Sequence, residues 1–356
     1  MEISSLAFQN LPEYDHHKLV VKVEDESVGL KGFIAIHCFN GAFPALGATR
    51  LWNYHFEEEA LRDALRLSKL MTYKSVLAGL PYTGAKAALI LNPKSQINRE
   101  AMFRSYAKKV NELKGQFVTG TDVGVSNKDL DIMCTESSFM IGEGVDSGYF
   151  TAIAVLDGIK RALKDRFGTD DVSRRTFAIQ GLGKTGYPLL KFLVKAGAEK
   201  IYVTDINPRK AWYAKIRFPH IKLINPVEIH CQAVDVFCPC AMSHSINEDS
   251  VSQLQCKIVA GSANNQLDSK ETGELLFKKG ILYAPDFVIN AGGIISVVDQ
   301  YENKTHSEER ILEKLKKVGE NLSKIFETSR QENKAPNFVA TEIADKIITN
   351  YAKANN

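Results

Sequence analysis

The stretch Thr176-Phe177-Ala178-Ile179-Gln180-Gly181-Leu182-Gly183-Lys184-Thr185-Gly186 decides the fold. Its first five residues read as an apolar strand that runs into a glycine-spaced turn, and a helical pattern follows over about Thr185–Ala196. The next apolar run, Lys200–Thr204, ends at Asp205, 19 residues beyond Gly186. The glycine spacing alone is a weak signal; between a strand and a helix, with an acid closing the second strand, it describes a dinucleotide-binding turn. Gly181 permits the tight turn, Gly183 lets the backbone approach a pyrophosphate, and Gly186 lets the helix pack on the strand. The helix N-terminus offers free N–H groups and a partial positive charge to the phosphates, and Lys184 is counted with the cofactor contacts. Asp205 accepts hydrogen bonds from both ribose hydroxyls and would repel a 2′-phosphate, so NAD is expected rather than NADP. Arg209 and Lys210 weaken that preference a little.

Further short apolar runs follow at Val234–Phe237, Lys257–Ala260 and Ile281–Ala284, and a helix at Phe150–Phe167 precedes the turn. Strands alternating with helices imply a parallel sheet covered on both faces. In the first part of the chain, 29–38, Ala85–Leu91 (closed by Asn92-Pro93) and Gln116–Thr121 read as strands. Glu57 to about Tyr73 and Asn98–Leu113 read as helices, and Ser126 can cap another. Two helical stretches end the chain, Ser307–Thr328 and Asn337–Tyr351. The expected architecture is α/β in two domains with an active-site cleft between them. An α/β substrate or catalytic domain covers 1–140, and a Rossmann-type doubly wound NAD domain covers 141–332, with the C-terminal helix 333–356 packing back on the first. The seam falls near 138–148, where Gly142, Gly144 and Gly148 cluster.

A length of 356 residues suits two domains, and 44% hydrophobic with 24% charged residues suits packed ones. Lys plus Arg total 45 against 42 Asp plus Glu, a net charge of +3 that gives no reason to expect nucleic acid or an anionic membrane as partner. The N-terminal Met1-Glu2-Ile3-Ser4-Ser5 lacks the basic and apolar regions of a secretory signal, and no apolar run reaches the ~18 residues of a membrane helix. The six cysteines lack zinc-site spacing and read as reduced thiols, so no metal is expected and a cytoplasmic location is.

Two lysines stand in unusual company. Lys74 follows the Glu57–Tyr73 helix, and Lys86 leads into the run Ala87-Ala88-Leu89-Ile90-Leu91, which points it towards buried surroundings. A lone lysine is ordinarily a solvated face. Asp122, in Gly120-Thr121-Asp122-Val123-Gly124, ends a strand in a glycine-flanked loop, where a carboxylate is either functional or an ordinary Asx-turn.

Together, six ordered motifs resemble the amino-acid dehydrogenases of the glutamate/leucine/phenylalanine/valine superfamily, nearest the leucine dehydrogenase branch, over about 29–355. They are Gly47-Ala48-Thr49-Arg50, Met71-Thr72-Tyr73-Lys74, Gly84-Ala85-Lys86, Asp122-Val123-Gly124, Gly261-Ser262-Ala263-Asn264-Asn265-Gln266, and the run from Tyr283 through Asn290 to Gly293. The resemblance implies reversible oxidative deamination: an L-amino acid and NAD give a 2-oxo acid, ammonia and NADH. It implies that Lys74 holds the substrate carboxylate, Lys86 activates water and Asp122 relays protons to and from the substrate nitrogen. It places Asn264 at the substrate carboxylate or nicotinamide ribose, Thr151 at the nicotinamide amide and Asn290 with the cofactor set. A homo-oligomer is implied too. The chemistry agrees: water attacking an iminium carbon needs a base at moderate pH, and burial beside another cation lowers a lysine from its ordinary value of about 10.4.

Glutamate-specific relatives place a lysine before this Gly47 motif, where this chain has Leu46, so a distal carboxylate would be unpaired. By the same resemblance Leu46, Gly47, Gly120, Ile294 and Val297 surround the substrate, an apolar set. Val297 favours a branched-chain amino acid and comes first. Gly120, which removes a methyl, favours an aromatic one such as phenylalanine or tryptophan. Thr83 and Ala48 replace family glycines and are expected to crowd the substrate. A catalytically inert NAD-binding homologue would not need both lysines and Asp122. A hydroxy-acid dehydrogenase would want a histidine–carboxylate pair, for which His244 is the nearest candidate.

Overall fold

The computed structural model describes residues 8–91, 98–241 and 243–354. Asn92-Pro93, the expected strand stop, and Met1–Ser5 lie outside the described residues. The first sheet is built from β1 (Leu19–Asp25), β2 (Leu30–Ile36), β3 (Ala45–Trp52), β4 (Thr83–Ile90) and β5 (Phe117–Thr121), in the order β1-β2-β4-β3-β5. β1, β2 and β4 run antiparallel, whereas β3 lies parallel between β4 and β5. Because strand side chains alternate, Ala45, Ala85 and Phe117 face one side, where Phe103 and Tyr106 of α2 (Arg99–Glu112) and Leu130 of α3 (Asn127–Cys134) complete a core. Leu46, Lys86 and Gly120 face the other side, which α1 (Glu57–Leu77) partly covers through Ala60, Ala64 and Leu65.

Helix α4 (Ser147–Phe167) starts at Asp146, whose carboxylate accepts the Tyr149 N–H, and ends at left-handed Gly168. It leads into β6 (Thr176–Gln180), α5 (Gly186–Lys195), β7 (Lys200–Thr204), α6 (Pro208–Arg217), β8 (Lys222–Leu223), β9 (Val236–Pro239), α7 (Glu248–Gln253), β10 (Ile258–Val259), α8 (Lys270–Lys278) and β11 (Leu282–Tyr283). The second sheet has the order β11-β10-β9-β6-β7-β8, parallel at every pair. The chain order reverses at β6, and the glycine turn leaves the sheet at that switch point, where open parallel sheets bind ligands. This is the doubly wound arrangement expected from the alternation of strands and helices.

The last helices are α9 (Asp286–Ile289), α10 (Gly292–Asn303), α11 (Glu308–Glu332) and α12 (Pro336–Ala354). α12 returns to α1, where the Tyr73 hydroxyl donates to Asp345 at 2.5 Å. One apolar cluster extends from Leu46, Tyr73 and Val118 through Ile141 to Ile179, Ile289 and Ile295. The six cysteines are free thiols, and no helix among the described residues is long and apolar enough to cross a membrane.

Several local readings change. α1 continues to Leu77, because Tyr73, Val76 and Leu77 are buried, so Lys74 lies inside the helix and does not follow it. β4 begins at Thr83, so Lys86 is within the strand and not ahead of it. Three strands, β1, β3 and β8, and the helices α6, α7, α8, α9 and α10 were not apparent in the sequence.

Candidate active site

Lys86, 5% exposed in the middle of β4, donates from Nζ to Asp122 Oδ2 at 2.6 Å. Asp122 follows β5, and its loop is fixed to β3 by backbone bonds from the Asp122 N–H to Thr49 O and from the Leu51 N–H to Val123 O. The same Oδ2 accepts from Arg50 Nε at 3.0 Å. Burial favours the neutral Asp122 carboxyl, but Lys86 and Arg50 outweigh it and hold the group well below the usual carboxylate range. Burial lowers Lys86, Asp122 opposes that and Arg50 reinforces it, for a net downward shift.

Lys74 reaches the same place from α1. Gly84 makes this possible: a Cβ there would lie 2.1 Å from Thr72 N, so only glycine lets the helix sit so close to β4. Burial pushes Lys74 down to about 8; Asp286 opposes that and the nearby Lys86 ammonium adds to it. Its Nζ donates across the cleft to Asn264 Oδ1 at 3.0 Å, an oxygen that also accepts from Asn290 Nδ2 at 2.9 Å. Asp286 supports this side, accepting the Tyr283 hydroxyl at 2.8 Å and the Asn265 N–H at 2.6 Å. Two hydrogen-bonded groups, Lys86 with Asp122 and Lys74 with Asn264 and Asn290, are thus close enough for the two lysines to influence each other's charge.

Lys74, Asn264 and Asn290 border a cleft of about 740 Å³. Of the expected residues, Leu46, Gly47, Lys74, Gly120, Thr151, Lys184, Asn264, Asn290, Ile294 and Val297 line it, while Lys86 and Asp122, hydrogen-bonded to each other, are not among its lining residues. Gly181, Gly183, Gly186 and Asp205 are set back from it, although the turn reaches it through Lys184 and Thr185. Met71, Ile141 and Val145 also line the cleft and were not singled out in the sequence. Met71 read as an ordinary helical apolar position, and the other two as part of the interdomain seam.

The glycine turn fits a dinucleotide. Gly181 has φ +94°, a Cβ on Gly186 would lie 2.0 Å from Gly181 O, and a Cβ on Gly183 would meet nothing within 4 Å, leaving room for a ligand. Thr185 makes no side-chain cap to α5; within the first turn the Tyr187 N–H donates to Gly183 O at 3.2 Å and Pro188 has no N–H, so the Gly186 N–H and the backbone of the glycine turn are the groups that could meet a phosphate. Asp205 accepts the Leu182 N–H and the Asn207 N–H, each at 2.8 Å, which aims its carboxylate along the turn. Asn290 Oδ1 is buried without a partner among the described residues, a free acceptor on the cleft wall.

Two expectations about crowding change. In β4 Thr83 alternates with Gly84 and Lys86 onto opposite faces, so its side chain points away from the cleft; Ala48, paired with Lys86, does line it. A Cβ on Gly120 would lie 2.7 Å from Ile141 O, so the methyl that glycine omits makes room for the Ile141 backbone as well as for a ligand.

The fold and the glycine turn describe a pyridine-nucleotide dehydrogenase. Family models for the Glu/Leu/Phe/Val dehydrogenase dimerisation domain and for the Glutamate/Leucine/Phenylalanine/Valine dehydrogenase match residues 16–139 and 207–353. The chain is 39% identical to the leucine dehydrogenase of Bacillus cereus over 96% of its length and 93% of that protein. It is 36% identical to a phenylalanine dehydrogenase of Caldalkalibacillus thermarum, covering 99% and 96%. The crystal structure of L-tryptophan dehydrogenase from Nostoc punctiforme superposes with a TM-score of 0.82 at 35% identity, covering 95% of this chain and 97% of that one. This chain belongs to the Glu/Leu/Phe/Val dehydrogenase family and is a leucine-dehydrogenase-like amino-acid dehydrogenase.

Proposed function

We propose that the protein catalyses reversible, NAD-dependent oxidative deamination of an apolar L-amino acid, with a branched-chain side chain first. The observation that carries this reading is the buried Lys86–Asp122 pair beside Lys74, at a cleft that extends to the glycine turn. NAD, when bound along that turn, supplies the hydride acceptor, and Asp205 supports NAD because its carboxylate would repel a 2′-phosphate.

The roles of this chain's residues follow from their charges. A substrate carboxylate entering beside Lys74 restores the ammonium that burial disfavours. Lys74 and Lys86 disfavour each other's ammonium, so a charged Lys74 helps Lys86 to act as base. Neutral Lys86 takes a proton from water as the water attacks the iminium carbon of the substrate. Asp122, kept ionised by Arg50 and Lys86, accepts and returns protons at the substrate nitrogen. Asn264, held by Asn290, orients the carboxylate beside Lys74. Leu46, Ile294 and Val297 offer a distal carboxylate no counter-charge, which argues against glutamate.

Gly120 and the flexible Met71 favour a second reading, an aromatic substrate. One methylene in an apolar pocket is worth only about 1–3 kcal/mol of discrimination, so wall composition alone separates the two weakly. The dimerisation-domain match over residues 16–139 supports an assembly of several copies. Steady-state kcat/KM for each apolar L-amino acid and for glutamate, with NAD and with NADP, read as NADH or NADPH absorbance, tests the reading. The expected order is branched-chain, then aromatic, with glutamate far behind; no reduction of NAD by any apolar L-amino acid would overturn it.

A further inference from the structure

The strand that forms the cleft floor carries one charged residue that the proposed chemistry uses only to keep Asp122 ionised. Arg50 lies on the same face of β3 as Leu46 and Ala48, two positions beyond the residue paired with Lys86. Its guanidinium joins two carboxylates. Nε donates to Asp122 Oδ2 at 3.0 Å, and Nη1 donates to Asp63 Oδ2 at 2.8 Å. Asp63, on α1, is itself held by the Tyr54 hydroxyl at 2.7 Å and by Arg66 Nη2 at 2.7 Å. The guanidinium plane is therefore fixed at both ends. Asp122 Oδ2, the oxygen that Lys86 uses, is shared between two cations.

We propose that Arg50 is a positioning residue for the reaction: by sharing Asp122 Oδ2 with Lys86 it fixes the carboxylate and prevents it from holding the lysine permanently as an ammonium. A buried lysine paired to a carboxylate of its own is a stable ion pair and a poor base. Two cations on one oxygen leave each only partly compensated, and the lysine is the one that can lose its proton. The charges acting on Lys86 are Asp122 after β5, Arg50 on β3, and Asp63 and Lys74 on α1; β2 places Ala35 opposite it. Asp122 and Asp63 favour its ammonium, whereas Arg50 and Lys74 disfavour it. The arrangement thus predicts opposite effects of removing Arg50 and of removing the acid that anchors it. A merely structural strut predicts the same loss from both.

This inference rests on the deamination reading for its kinetic consequence, and a readout without substrate keeps the two separable. The pH profile of kcat/KM and the titration of the Lys86 Nζ resonance, by NMR of lysine-labelled protein, are measured for the wild type, Arg50→Gln, Arg50→Lys and Asp63→Asn. Thermal melts of each establish folding. In Arg50→Gln the Lys86 titration and the acid limb of kcat/KM should move up by about 1 pH unit, with activity recovering at high pH. Arg50→Lys should restore most of that shift. Asp63→Asn should move both downward. Unmoved Lys86 titration in folded Arg50→Gln, equal activity loss at every pH, or shifts of the same sign in Arg50→Gln and Asp63→Asn would each overturn the role of Arg50. If the wild type oxidises no amino acid, the functional reading falls, while the Lys86 titration still decides the inference.

Discussion

Replacing Gly120 with alanine tests the pocket at the position where the two substrate readings diverge. The added Cβ would lie 2.7 Å from Ile141 O, well inside van der Waals contact, so one of the two backbones must move by about half an ångström. Neither moves easily. Gly120 is the fourth of five residues in β5, and the segment opposite is bonded to that strand from the Thr119 N–H to Phe139 O at 3.0 Å and from the Ile141 N–H to Thr119 O at 2.9 Å. Overpacking of this kind costs about 1–3 kcal/mol, a fall in Tm of roughly 1–4 °C for a protein of this size. The new methyl and the displaced Ile141 also narrow the cleft beside the substrate side chain. The kcat/KM ratio of aromatic to branched-chain substrates should fall by about tenfold, since one methylene is worth about 1–3 kcal/mol. The assay is NADH formation with L-phenylalanine, L-tryptophan, L-leucine and L-valine, beside a thermal melt. An unchanged Tm together with an unchanged ratio would refute both the contact and the placement of Gly120 against substrate.

Lys86→Ala should lower kcat by about 10²–10⁴ while NADH binding, followed by its fluorescence, survives; near-wild-type turnover would remove lysine from the chemistry. In the reductive direction the KM for a 2-oxo acid, whose carboxylate does not titrate here, should rise as the pH passes about 8 and Lys74 loses its charge. Lys74→Gln should raise that KM by about 10–100-fold and abolish its rise with pH; a variant that keeps the rise would assign it to another group. Asp205→Ser should bring the NAD and NADP values of kcat/KM closer together, and an unaltered cofactor ratio would break the link between this acid and the ribose.

The parts of the molecule legible in the sequence are those specified locally. β6, the glycine turn and α5 carry their own signals, an apolar run, left-handed glycine and amphipathic spacing, and the structure follows that reading. β3 carries none: Ala-Leu-Gly-Ala-Thr-Arg has little strand character, and it becomes a strand because β4 and β5 pair with it on both sides. The C-terminal turn of α1 depends likewise on distant partners, since Tyr73 meets Asp345 of α12 and Phe287 of α9. Arg50 illustrates the same limit within the site. A single arginine after a small-residue run reads as a solvated charge, and only the parallel register of β3 with β4 and β5 brings it to Asp122. Lys86 was legible because the apolar run after it has no reason to admit a charge without a purpose.

The bond from Lys74 to Asn264 joins the two halves of the molecule through the amine proposed to receive the substrate carboxylate. Under that proposal an arriving carboxylate displaces a contact already made, and its net gain is the difference between two interactions and not the full strength of one. Such an exchange leaves the ground-state complex shallow, so affinity for amino acid remains modest while the barrier to turnover is spared that depth. The same exchange makes the separation of the halves sensitive to occupancy, because the strut that spans them is released whenever a substrate is held.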